Sequence, residues 1–326
     1  MLGSHDARAI ESPHFGSVPR TRFTHIEWYD EIGSTNTELL DRARRGAPEG
    51  VVLITDLQTA GRGRRGRRWT APPGTSLMMS VLLRPPPGPL PPARAALVTL
   101  AVALAAADAC EQSSGVRPRL KWPNDLVIAD RGSRDSAGRD SAGHDSAGHD
   151  SAGHDSVRRD RKLAGILAES ISTQGVLSAL VVGMGLNTGW PEVPPDLEGI
   201  ATSLNLEAGA PVDRTALARR VLEGLEARYE LLCRADHGLG GGSGAAAVLD
   251  EARRNSATLG RRVRISFDAT INGPATDGPA TDGHSLEGLA SDLDAEGRLL
   301  VADDGGTIHT VAVGDVVHLR SAPHRQ

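Results

Sequence analysis

Cysteine is nearly missing from this chain: Cys110 and Cys233 are the only two, far apart and each inside a segment of helical pattern. That excludes a disulfide framework and a metal-ligand spacing, and it suits a reducing, cytoplasmic setting. Long apolar runs are equally scarce. The longest, Ala95 to Cys110, is short for a bilayer, is mostly alanine and contains Asp108, so a buried helix is expected there and a membrane span is not. The opening MLGSHDARAIESPHFGSVPR holds acidic residues and no apolar centre, which argues against a secretory signal or an anchor; residues 1–24 read as a loose tail. An excess of positive charge is missing too, since the 326 residues carry a formal net charge of −5. No general basic field exists to recruit a nucleic acid.

Lysine is the last scarcity. Positive charge is carried almost wholly by arginine, yet Lys121 in LKWPND and Lys162 in RKLAGILAES remain. Arginine presents a planar fork, whereas lysine is a compact point charge that sits close to a single phosphate or carboxylate oxygen. If the arginine preference is general, the two surviving lysines mark places where arginine does not fit. Lys162 is the stronger candidate; Lys121 serves equally well in an ion pair.

What is present reads as a mixed sheet with packed helices, an α+β architecture. A strand runs through Trp28, and a helix begins at Ser34 and Thr35, residues that cap helix N-termini. VVLITDLQ and SLMMSVLLRP are buried strands by their apolar runs, and LKWPNDLVIA, LAGILAESIS and ALVVGMGLNTG follow as strands. A helix over Ala93 to Ala109 covers one face. Leu217, Val221, Leu225, Tyr229 and Leu232 fall at helical spacing between Asp213 and Arg234. From about Gly260 the pattern changes to the short strands RRVRISF, RLLVA, TIHTVAV and DVVHLR, which suggest a small barrel. The organisation expected is therefore a tail over 1–24, a large domain over 25–257 and a small one over 258–326.

Two low-complexity segments interrupt this frame. DSAGH or DSAGR repeats from Asp135 to Asp155 inside an insertion over 131–160, and GPATDGPATD spans 273–282. Neither holds apolar residues to bury, so both read as expanded loops. His144, His149 and His154 recur at a five-residue period that suits no helix face and has no cysteine beside it. Metal binding is not expected of them.

The run QTAGRGRRGRRW, residues 58–69, is the chemically richest stretch. Alternating Gly with Arg rules out a packed helix or strand, so it is a loop. Gly61, Gly63 and Gly66 let the backbone approach a ligand closely, and Arg62, Arg64 and Arg67 offer fork-shaped donors to carboxylate or phosphate oxygens. Its arginines repel one another without an anion between them, so the loop is expected to be mobile when empty.

GSTNTEL, QTAGRGRRGRRW, KWPNDL, KLAGILAE and VVGMGLNTGWP, in that order, resemble the biotin protein ligases, or biotin–acetyl-CoA-carboxylase ligases, and the final GDVVHLR is similar to theirs. The resemblance runs from about His25 to Arg320. It implies a class II synthetase-like catalytic domain of the biotin/lipoate ligase type, followed by a small SH3-like β-barrel. The activity it implies joins the biotin carboxylate to the α-phosphate of ATP and then passes biotin from biotinyl-5'-AMP to a lysine of a biotin carboxyl carrier domain. Mg²⁺ carried on ATP is the metal expected, with no protein-only site. Residues 1–24 are too few for a helix-turn-helix domain, so the form expected lacks DNA binding.

Roles follow from the same resemblance. Ser34, Thr35, Asn36, Gln58, Gly61, Arg62, Arg64, Lys162 and Gly165 are assigned to biotin, with Ser34, Thr35 and Gln58 facing its ureido ring. Arg62, Arg67, Trp69, Lys162 and Asn187 are assigned to ATP and the adenylate, Trp69 stacking on adenine. Lys162, Arg64, Arg67 and Asp125 are assigned to catalysis. Lys162 would stabilise charge between carboxylate and α-phosphate. Asp125 either orients and deprotonates the acceptor lysine or is a turn residue after Pro123, and Asn124 holds that turn.

Other classes stay open at this point. Lipoate ligases and octanoyltransferases share the scaffold and a lysine, although the Gly-Arg loop with its tryptophan is not expected of them. A nucleic-acid binder would use the Gly-Arg run directly and show a steep salt dependence. A ligand sensor without catalysis is a third class. A carboxylase partner is expected, nucleic acid and membrane are not, and monomer and homodimer are both compatible with the sequence.

Overall fold

The structure is a computed structural model that describes residues 9–10, 17–86, 90–129, 160–234, 244–267, 285–312 and 314–319. The repeats at Asp135 to Asp155, with His144, His149 and His154, and the 273–282 run lie outside the described residues.

The larger sheet has eight strands: β1 (Ala9–Ile10), β2 (His25–Ile32), β3 (Val51–Gln58), β4 (Ser76–Leu83), β5 (Arg119–Lys121), β6 (Asp125–Ile128), β7 (Arg161–Thr173) and β8 (Val176–Asn187). Their order is β1-β2-β3-β4-β8-β7-β6-β5, and only β2 and β3 pair in parallel, so the sheet is mixed as expected. Helix α1 (Thr35–Arg44) joins β2 to β3, as a parallel pair requires a crossover. Helix α2 (Ala96–Ser114) is long and apolar enough to cross a membrane by length and composition, but it is packed inside the molecule. It lies against the long helix α4 (Arg214–Cys233) and against α5 (Gly244–Asn255), with the short α3 (Leu204–Ala208) beside it.

The two faces of the sheet are filled differently. Along β8, Leu180, Val182, Met184 and Leu186 belong to the main core under α2 and α4. On the opposite face Ala179 and Val181 pack with Leu39, Leu40 and Ala43 of α1. The next residues on that face are Gly183 and Gly185, where period-two alternation removes the side chains altogether. Under the first turn of α1 and beyond it the sheet is therefore a floor with no side chains of its own.

The second sheet is antiparallel: β9 (Arg262–Ser266), β10 (Ser285–Leu293), β11 (Leu299–Ala302), β12 (Ile308–Val311) and β13 (Asp315–His318), ordered β12-β11-β10-β9-β13. This set of five short strands is consistent with the SH3-like domain expected. Its central strand β10 was not among the strands read from the sequence. Of its three buried residues, Gly288, Ala290 and Leu293, the first two are small, and a methyl on Gly288 would stand 2.3 Å from the Ala302 carbonyl oxygen, so the alternation of large apolar residues that signals a strand is missing.

Three further expectations need correction. LKWPNDLVIA is not one strand: β5 and β6 form a tight hairpin whose turn, Trp122 to Asn124, contains a cis Trp122–Pro123 peptide. The tail is not loose throughout, because β1 pairs with β2, Val18 and Phe23 are buried, and Arg22 is bound by Glu226 and Glu49. The helices α3 and α5 were also missed. In α5 the buried residues are Val248, Leu249 and Ala252, too short an apolar stripe beside a glycine run to signal a helix.

Candidate active site

A cleft of about 350 Å³ lies over the glycine floor, between α1, the loop after β3, the β5–β6 turn and β13. Ser34, Thr35, Asn36, Gln58, Arg62, Arg64, Arg67, Trp69, Asp125, Lys162 and Gly165 all line it. Eleven residues read from separate motifs thus converge on one surface. Gly61 and Asn187 do not line the cleft.

The α1 side is held by a chain of hydrogen bonds. Ser34 caps the helix by accepting from the Thr37 N–H at 3.4 Å. The Thr35 N–H and hydroxyl both approach Gln58 Oε1, at 2.9 and 3.2 Å. Ser80, fully buried on β4, stands 2.7 Å from the Thr35 hydroxyl and 2.6 Å from Asn36 Oδ1. Asn36 Nδ2 donates to Glu169 at 3.0 Å. Gly183 is compulsory here, since a methyl group on it would lie 2.0 Å from Asn36 Oδ1.

Lys162 is fixed by its backbone. Its N–H donates to the Ile200 carbonyl at 2.8 Å, and its carbonyl accepts from the Thr202 N–H at 2.9 Å. The ammonium lies 2.6 Å from Asp125 Oδ1 and 5.8 Å from the centre of a Trp69 ring. Asp125 thus sits both where the turn ends and beside the cleft lysine. Asn124 donates to the Ile166 carbonyl at 2.8 Å, and its Oδ1 accepts from Arg64 at 3.0 Å. Burial pulls the Arg64 guanidinium pKa down from its ordinary value, with the neighbouring Asp315 carboxylate opposing that shift.

The loop arginines do not repel one another freely, because each has found an acceptor. Arg62 pairs with Glu169 at 2.9 Å, Arg64 with Asn124, and Arg65 and Arg67 with Asp315 of β13, the former at 3.2 Å. The run is folded into the cleft wall, and these partners offset the repulsion among its arginines on which the expectation of a mobile loop rested. Two of its glycines also act otherwise than expected. The Gly63 N–H is spent on the Arg67 carbonyl at 2.7 Å, and Gly61 lies against the Trp69 carbonyl, 2.3 Å from where its methyl would be. They close the neck of the loop.

Trp69 lies flat on the floor: methyl groups on Gly185 and Gly165, which are register partners, would stand 2.3 and 3.2 Å from its ring. Its indole Nε1 is buried without a hydrogen-bond partner among the described residues. Asn187 is buried, its Oδ1 accepting from Ser76 at 3.2 Å and its Nδ2 donating to the Thr202 carbonyl at 3.0 Å. Its nucleotide-reading role is unsupported by this placement.

Residues 28–187 match the Biotin/lipoate A/B protein ligase family, and residues 280–319 match the Biotin protein ligase C terminal domain. The biotin–[acetyl-CoA-carboxylase] ligase of Mycobacterium tuberculosis is 35% identical over 320 residues, covering 97% of this chain and 96% of that protein. The chain belongs to the biotin protein ligase family. The bifunctional ligase/repressor BirA of Bacillus subtilis is 29% identical over 217 residues, and the chain covers 66% of itself but only 57% of that protein's length in the match. Among solved structures, the biotin protein ligase from Aquifex aeolicus in complex with biotin and ATP superposes with a TM-score of 0.63 over 92% of this chain and all of that one, at 22% identity. That likeness establishes the fold.

Gly183, Gly185 and Asp315 line the cleft, and Ser80 and Glu169 bond side chains that do; the motif reading passed over all five. Gly183 and Gly185 had a signal: two glycines two residues apart in an otherwise apolar strand mark one face kept clear. Ser80, Glu169 and Asp315 had none, because their importance comes from partners remote in sequence.

Proposed function

We propose that this chain is an ATP-dependent biotin protein ligase, which converts biotin and ATP to biotinyl-5'-AMP and pyrophosphate and then transfers biotin to a lysine of a carrier domain. The observation that carries this reading is the convergence of Lys162 and the arginines Arg62, Arg64 and Arg67 on one cleft floored by Gly165, Gly183 and Gly185. Both reactants of the first step are anions, so their approach needs fixed positive charge from the protein. The narrow glycine floor admits a flat ring system beside it.

In the first step a biotin carboxylate oxygen attacks the α-phosphorus and pyrophosphate leaves. Lys162 stabilises the charge on both reacting groups, and Arg62 and Arg67 release their carboxylate partners to bind phosphate or carboxylate oxygens. In the second step the acceptor amine attacks the carbonyl of the mixed anhydride and AMP leaves. Asp125, already beside Lys162, accepts the proton that the amine gives up. Mg²⁺ comes with the triphosphate, because the cleft carboxylates Asp125 and Asp315 are engaged by Lys162 and Arg65. The acceptor is a biotin carboxyl carrier domain of an acyl-CoA carboxylase, and a cytoplasmic setting fits the paucity of cysteine. The large domain over 25–257 performs the chemistry, with the 258–326 domain closing one side of its cleft.

The test is exchange of labelled pyrophosphate into ATP, with Mg²⁺ and biotin, beside parallel reactions with lipoate and octanoate. Exchange with biotin alone is expected. Exchange with lipoate or octanoate in its place would keep the adenylation chemistry and overturn the substrate.

A further inference from the structure

His318 touches neither the cleft nor its loop, yet it joins the two pieces of backbone that carry Lys162 and Asp125. Its side chain is 12% exposed, at the end of β13. Nδ1 lies 2.9 Å from Oδ2 of Asp160, which is itself 6% exposed and precedes Lys162 by two residues. A carboxylate has no proton to give, so Nδ1 carries the hydrogen. Nε2, 3.3 Å from the Thr258 hydroxyl, is then the acceptor. Thr258, fully buried, accepts the Trp122 N–H at 3.0 Å with one of its lone pairs. Trp122 opens the turn that delivers Asn124 and Asp125 to the cleft.

Two arms therefore leave one imidazole. The first runs through Asp160 to Lys162, and the second through Thr258 and Trp122 to Asp125. They meet again where Lys162 Nζ stands 2.6 Å from Asp125 Oδ1. We infer that His318 is a positioning residue for the reaction, its neutral Nδ1–H tautomer setting the spacing of Lys162 and Asp125 from the second sheet. The inference rests on the ligase reading for its kinetic consequences only.

The charged groups around the ring show why it works in the neutral form. Among the described residues Asp160 is the one carboxylate in contact, and it is shared with Arg261, whose Nη1 is 2.8 Å from Oδ2 and 3.2 Å from Nδ1; the shorter 2.9 Å approach to the carboxylate is the one that takes the Nδ1 hydrogen. Lys121 adds a further positive charge nearby. Burial is the main cause that lowers the His318 pKa below its ordinary value, and the bond to Asp160 only partly restores it. A second proton would go on Nε2 and reverse its bond to Thr258, whose hydroxyl would then accept from Nε2–H as well as from the Trp122 N–H. Acid thus changes the second arm from one in which Thr258 donates to one in which it only accepts.

The experiment compares wild type with His318→Ala, His318→Asn and Thr258→Val in biotin-dependent pyrophosphate exchange, from mildly acidic to mildly alkaline buffer, with melting temperatures alongside. Asparagine can return the donor to Asp160 and cannot titrate. For H318A the kcat is expected to fall on the order of tenfold to a hundredfold, the cost of a small misplacement of reacting groups. Its biotin KM should stay within about twofold of wild type, as for a loss felt at the transition state. H318N should recover most of that kcat and lose an acid limb that wild type shows below the ordinary imidazole pKa of 6.5. Wild-type kcat in H318A overturns the inference, as does a loss that H318N fails to restore although it melts like wild type. The crystal structure of H318N or T258V reads the arms without turnover. A widened Lys162–Asp125 separation in T258V, with the H318N separation near wild type, supports the inference, and an unchanged separation in T258V overturns it. Absence of any exchange by wild type would instead count against the ligase reading, leaving the structural comparison to decide this one.

Discussion

Trp69 and Gly185 are in contact so close that a single methyl group on the glycine would stand 2.3 Å from the indole. The ring and the floor are therefore one fitted surface, and any ligand ring placed on that floor shares it with Trp69 or moves it. Gly185→Ala should push Trp69 off the floor. The overpacking is expected to destabilise by about 1–3 kcal/mol and to raise the biotin KM. Thermal unfolding and exchange kinetics check both, with Gly189→Ala as a control, because its methyl group would meet nothing nearer than 4.0 Å. An unaltered melting temperature and KM in G185A would remove the floor from the site.

Lys162→Arg keeps a positive charge and loses the compact head. The ammonium stands 2.6 Å from Asp125 as a single point of charge, and the longer arginine side chain with its planar fork would carry the charge to a different place in the cleft. Adenylation should fall by roughly a hundredfold or more, the scale of losing a preorganised charge at the reacting centre. Circular dichroism and melting temperature should stay as in wild type. Near-wild-type turnover would take Lys162 out of the mechanism.

How much of this was legible depends on whether a residue signals through its neighbours in sequence. The strands of β3, β4, β7 and β8 are continuous apolar runs, and the cleft residues of α1, the loop and β7 stand in local motifs, so both could be read directly. Lys162 was found by a scarcity, as one of two lysines. Asp160, Thr258 and His318 could not be found, because their bonds span up to 158 residues; even His318, inside GDVVHLR, shows nothing locally of the partners it meets. The loop was misjudged for the same reason: the repulsion among its arginines was visible, whereas Glu169 and Asp315, which cancel it, lie 107 and 248 residues from their partners. Charge pairing in this chain is a tertiary property.

The segment before β2 is a further case in which distant partners decide. Glu226 of α4 accepts from the Arg22 backbone N–H at 2.9 Å and from its guanidinium at 2.9 to 3.1 Å, and that guanidinium lies 4.4 Å from the Tyr229 ring centre. Glu226→Gln should cost about 2 kcal/mol, since bonds to a charged acceptor are stronger than neutral ones and the isosteric amide keeps only part of them. Urea denaturation measures this. A variant as stable as wild type would restore the loose-tail reading for residues 17–24.

Glu27 offers the clearest acid response. It lies on β2 and accepts from Arg42 of α1 at 3.1 Å, from His25 at 2.8 Å and from the Tyr29 hydroxyl, so it ties the helix to the sheet that carries the cleft. Burial alone would raise its pKa, but the hydrogen bonds from Arg42, Tyr29 and His25 outweigh burial and pull it from 4.5 down to about 2. A carboxylate depressed in this way binds fewer protons folded than unfolded between those two values. Its stabilisation is therefore complete above pH 4.5 and is lost as pH falls toward about 2. Glu27→Gln should be less stable than wild type at neutral pH, and the gap should close through this window, because only the wild-type residue still takes up a proton there. Other carboxylates contribute to the acid response of both proteins alike and drop out of the difference. Unfolding free energies that stay a constant distance apart from neutral pH into strong acid would show that the Glu27–Arg42 tie does not hold α1 in place.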